Sequence, residues 1–214
     1  MSDAADGYAG QAGDGEANDP IKATARFVTT MLSRVHTATP VRVLAVTPGS
    51  AGSGASGTVD VQPLVNQVDG AGQATPHGTV HALPYFQLAA GTSAVVLDPV
   101  AGDIGLAVFA SRDVSAVKAT RKQSNPGSFR RNSMSDGFYF GGFLTQAPTQ
   151  FVRLAADGIT LTSPTAVTIN APLLTINAPV VINSDTVTHD GHDIGQHHRH
   201  SGVRAGGDIS GEPV

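Results

Sequence analysis

Apolar positions recur along this 214-residue chain with a helical period first and a strand period next, and near its end in blocks of seven. Ala23, Phe27, Met31 and Val35 follow helical spacing, and Val28 and Leu32 widen the stripe. Asp19 before Pro20 supplies an N-cap and a proline at the first helical position. Thr39-Pro40 is expected to end the helix, because the residue before proline is pushed out of the α region. The pattern predicts one helix of about 16 residues with an apolar face.

From Val41 to Asp113 the pattern changes to alternation. Val41, Val43 and Ala45 open a strand, and Thr58 to Val65 resumes it after a Gly/Ser-rich turn at 50–57. A polar loop follows through Asp69-Gly70 and Gly72. Further strands are predicted at Val80–Phe86, Ser93–Leu97 and Gly105–Ala110. About five short strands in about 75 residues match the size of an OB-type barrel.

The repeat lies beyond Phe151. Thr168-Ile-Asn-Ala-Pro172 returns as Thr175-Ile-Asn-Ala-Pro179, with weaker copies at Leu161–Pro164 and Val181–Asn183. Proline and β-branched residues in each unit exclude a coiled coil. A short strand plus a tight corner, repeated, fits better, and such units must stack to bury their apolar face. Four or five strands are too thin a column for one chain, and their edges would invite pairing with other chains. Three chains wound about one axis remove those edges. Val167, Ile169, Leu174 and Ile176 then fill a narrow prism while Thr and Asn face out. Strands ~4.8 Å apart on three faces give a shaft of roughly 20 Å.

Composition agrees with a shared core. Aromatic residues make up 5% and charged residues 14%, against roughly 25% charged in average chains. No cysteine means no disulfide, thiolate metal site or cysteine nucleophile. The net charge of −4 argues against nucleic acid as a partner, and the bases gathered at 111–131 read as a solvated or partner-facing surface. No apolar run reaches the ~18 residues of a membrane span, and no signal peptide is expected at the start. Residues 1–18 carry Asp3, Asp6, Asp14 and Glu16 without a base and read as an acidic flexible leader.

Five of eight histidines crowd between His189 and His200. On a strand, His198 and His200 share a face while Arg199 points away, and His197 points opposite to His198. Under threefold symmetry, two imidazoles per chain become six nitrogens, a closed octahedral shell of structural character. Imidazole suits Fe, Ni, Cu and Zn alike, although octahedral geometry disfavours zinc.

Asp193-Ile-Gly-Gln-His-His-Arg-His-Ser-Gly202, preceded by Thr188-His-Asp-Gly191, resembles the apex motif of the central membrane-piercing spikes of contractile phage tails and related bacteriocins. The middle of the chain resembles the N-terminal domain family of phage spikes through Thr58–Leu64, Pro99–Asp113 and Ser133–Phe140. In this family the position of His197 often holds a small polar residue. The resemblance spans about residues 20 to 205.

That resemblance implies a mainly β homotrimer: an N-terminal helix, an OB-fold-like collar, an intertwined triple-stranded β-helix and a metal-clamped apex. Three His198 and His200 pairs would hold one iron ion per trimer through six histidines. The implied role is mechanical. The collar sits under the tail tube and baseplate hub, and sheath contraction drives the spike through the target's outer membrane. The implied location is the baseplate tip of a virion, or a bacteriocin particle, assembled from protein made in the host cytoplasm. The corresponding division is leader 1–18, helix 19–39, collar 40–115, basic connector 116–150, β-helix 151–186 and apex 187–214.

Two other readings compete. Asp190, His192 and Asp193 are close enough in sequence for acid–base work, but no cleft-forming domain, Ser-centred elbow, P-loop or dinucleotide fingerprint accompanies them, so an enzyme is not expected. A trimeric receptor-binding fibre or adhesin would need an exposed recognition surface at its tip, where this C-terminus is small and Gly-rich.

Overall fold

The structure, a computed structural model, describes residues 19–49, 56–69, 71–195 and 206. The chain divides into two units, Met1–Thr162 and Ser163–Val214. It is mainly β.

Helix α1 spans Pro20–Leu32, with the Asp19 carboxylate accepting from the amides of Ile21 and Lys22 at 2.9 and 3.4 Å. It stops well before Thr39-Pro40. The reason is sheet pairing: the Thr37 carbonyl already accepts from the Phe109 amide at 2.9 Å, and Ala38 pairs with Val108. Residues near Pro40 are therefore drawn into strand β1, Ala38–Thr47. No residue of α1 is buried, and Phe27 and Met31 are more than half exposed.

Strands β2 (Thr58–Pro63), β3 (Gln67–Val68), β4 (Ala74–Thr75) and β5 (Val80–Pro84) follow. Next come β6 (Leu88–Ala90), β7 (Ser93–Val95) and β8 (Ile104–Phe109). The helix α2 (Ser115–Thr120) and a 3-10 turn at Met134–Asp136 lead into β9, Gly137–Phe140. A hairpin of β10 (Phe151–Ala155) and β11 (Gly158–Thr162) ends the first unit.

Five of these strands form one sheet in the order β5-β2-β1-β8-β9. The sheet curls into a half-barrel, and its two edges meet where Tyr85 bridges Tyr139 and the Phe86 amide donates to the Tyr139 carbonyl at 2.8 Å. Alternation along β2 buries Val59 and Val61, which meet Val41, Val43, Leu83, Ala107 and Tyr139 in one core. Gly105 of β8 lies against the Tyr139 ring, where an added Cβ would stand 2.4 Å from a ring carbon. Glycine is required there by space alone.

Curling has a local cause. The β2–β5 ladder slips between Val59 and Val61, and Ala82 takes φ 55°, a left-handed conformation that alanine rarely adopts. Asp60 holds this bulge with both oxygens: Oδ1 accepts the Ala82 amide at 2.9 Å and Oδ2 meets His81 Nδ1 at 2.8 Å. The Ala82 amide first, and His81 second, keep the Asp60 carboxyl below its ordinary range.

In the second unit, residues 163–187 form no strand. Val167, Ile169, Leu174 and Ile176 are each more than half exposed. Strands β12 (Thr188–His189) and β13 (His192–Asp193) close a final hairpin.

Candidate functional site

The approach to the histidine motif is a two-residue hairpin. Asp190 and Gly191 both take positive φ, 48° and 78°, the backbone of a type I′ turn that Asp-Gly favours. His189 and His192 consequently face each other across the ladder, as do Thr188 and Asp193. Beyond it the Ile194 amide donates to the Val187 carbonyl at 2.6 Å, and the Gly195 amide donates to Asp193 Oδ1 at 2.8 Å. These bonds fix where the chain leaves the hairpin. The predicted ligands His198 and His200, and their neighbour His197, lie outside the described residues. Among the described residues no group of three or more His, Asp or Glu side chains is placed to hold a metal ion.

The other histidines are dispersed. His36 packs edge-on against Phe109, with ring centroids 6.2 Å apart, and lines a cavity of about 300 Å³ together with His77 and Met134. His81 belongs to the Asp60 bulge. Asp190, His192 and Asp193, weighed above for acid–base chemistry, belong to the hairpin, where Asp193 caps the Gly195 amide.

A built charged cluster sits instead between Ser111 and Asp136. Asp113 and Asp136 are buried, and Arg130 reaches both. Its Nε and Nη2 donate to Oδ2 and Oδ1 of Asp136, each at 2.8 Å, and Nη2 lies 3.3 Å from Asp113 Oδ1. The hydroxyl of Ser128 donates to Asp113 Oδ2 at 2.6 Å, and the amides of Ser115 and Val114 donate to Asp113 and Asp136 at 2.8 and 3.1 Å. Bonds from Ser115 and then Ser128 hold the Asp113 carboxyl far below the usual carboxylate range. The Arg130 fork lowers the Asp136 carboxyl from its ordinary value as well. These bonds tie the loop at 128–136 to the residues at 113–115.

A pocket of about 540 Å³ opens beside the barrel seam. Phe86, Leu88, Val95 and Leu97 make its apolar wall, and Asp98 and Asp103 bring carboxylates to it. Tyr85 donates to Asp98 Oδ1 at 2.6 Å, while burial pushes the Tyr139 hydroxyl up to about 12. The Tyr139 hydroxyl and Gln87 Nε2 are buried without a hydrogen-bond partner among the described residues.

Neither the cluster nor the pocket is marked by a motif. The signal for the first was a lone acid, Asp113, inside a stretch carrying six bases. A buried partner is what such an isolated carboxylate needs. The pocket had none, because its walls come from segments far apart in sequence. Compared with known proteins, the chain matches no family model and no curated protein.

Proposed function

We propose that three copies of this chain form the central spike at the tip of a contractile tail, a mechanical part that pierces a bacterial outer membrane. One observation carries the reading. The seven-residue units leave Val167, Ile169, Leu174 and Ile176 uncovered, and among the described residues no ladder pairs with their backbone. Extended, uncharged segments of this kind are stable when neighbouring chains supply the missing ladder. The Asp-Gly hairpin and the His198-Arg199-His200 motif then follow at the end of that column.

On this reading the OB-like half-barrel is the collar under the tube and hub, and the repeat is the shaft. His198 and His200 of three chains would ligate one iron ion as a structural clamp. The chain acts without catalysis.

Native mass measurement with elemental analysis of the same sample tests this. The expected result is a trimer with about one iron per three chains. A monomer at micromolar concentration would end the reading, and one metal per chain would remove the shared site.

A further inference from the structure

Phe129 is fully exposed, and both of its neighbours are tied down. Ser128 bonds buried Asp113, and Arg130 grips buried Asp136. The Arg130 amide also donates to the Ser128 hydroxyl at 3.2 Å. A phenyl ring thus stands in water between two residues anchored to buried carboxylates. Arg112 and Arg131 stand opposite each other across an antiparallel bridge beside it. Both are exposed and neither has an acidic partner among the described residues. Like charges directly opposite repel, so an acidic partner would be favoured on this face.

The same unit carries the complement. The pocket beside the barrel seam offers an apolar wall of Phe86, Leu88, Val95 and Leu97 with carboxylates at Asp98 and Asp103. Its volume of about 540 Å³ accommodates a phenyl ring.

We propose that Phe129 of one protomer seats in this pocket of the next, with Arg112 and Arg131 facing Asp98 and Asp103. The inference rests on the trimeric reading above and names the contact that joins its collars. Knob and hole are different patches of one chain, so the interface is head-to-tail, and three such contacts close a ring. Because the loop is already ordered, little freedom is lost when Phe129 docks.

The absence of native cysteine makes a clean test in the full chain. Arg131→Cys and Asp98→Cys, both at exposed positions that leave Phe129 and the apolar wall intact, are combined and oxidised. Interchain disulfides are expected, forming a ladder on a non-reducing gel that ends at three chains, with neither single variant giving it. A trimer by native mass that forms no interchain disulfide overturns this contact and leaves the trimer standing. A disulfide mapped within one chain, or a ladder ending at two or running past three, also overturns it. A monomer by native mass overturns the trimer and this contact together.

Discussion

The carboxylate of Asp136 accepts from Nε and Nη2 of the Arg130 guanidinium, each at 2.8 Å, while its Oδ1 also accepts from the Val114 amide at 3.1 Å. Six residues apart in sequence, the two close the loop that follows Phe129, while Ser128 on its other side bonds Asp113. Asp136 is almost completely buried, whereas the Arg130 side chain is 42% exposed.

Removing the acid therefore costs more than removing a surface ion pair. In Asp136→Asn the arginine can return to water, but a charge-assisted fork is lost, at about 2 kcal/mol. Urea unfolding should show a lower midpoint with an unchanged slope. A midpoint equal to that of the parent protein would show the loop to be held by something else.

Acid should find the same lock. Asp113 and Asp136 both titrate below their unfolded value of ~3.9. Their contribution is whole above about pH 4 and is lost as pH falls through the folded pKa values. Unfolding midpoints should be level from neutral pH to about 4 and drop below it, with a shallower drop in Asp136→Asn. A parent midpoint indifferent to pH between about 5 and 2.5 contradicts the assignment.

Gly105→Ala brings a methyl 2.4 Å from Tyr139 and 2.5 Å from the Phe140 carbonyl, between β8 and β9. Overpacking of this kind costs roughly 1–3 kcal/mol. Gly78→Ala, which meets nothing within 4 Å, serves as the control and should stay within about 0.5 kcal/mol of the parent. Equal thermal midpoints for the two variants would show that the Tyr139 ring moves aside freely.

At the apex, His198→Ala combined with His200→Ala should abolish bound metal in elemental analysis while native mass still reports three chains. His197→Ala should leave the metal content as it was, because the strand proposed for this motif would turn His197 away from the face shared by His198 and His200. Loss of metal in His197→Ala alone would reassign the ligands.

Much of the barrel was legible because its burial is alternate. Val59 and Val61, or Val41 and Val43, announce an inward face directly. Strand β9 was not, since Gly137-Phe-Tyr-Phe140 follows a basic loop and its pairing partner in β8 lies far back in the chain. The hairpin at Asp69 went unread as well: its Asp69 carboxylate organises the turn by accepting from Ala71 and Gln73, a local bond within a polar stretch. The Ala82 bulge has no mark at all, because alanine does not advertise positive φ and Asp60 stands two strands' length away in sequence. For the candidate sites, the lone acid Asp113 was visible but its partner Arg130 was one base among several.

The barrel seam sets an order of events. Its closing contacts join Tyr85 and Phe86 to Tyr139, across the whole of β6, β7, β8 and the Phe129 loop. A chain emerging from the ribosome cannot finish its half-barrel until residue 139 is free, so closure is a late, non-local step. The same thin seam is expected to open first: the Phe86 amide, bonded across it to Tyr139, should exchange with solvent before the amides of the central strand β1.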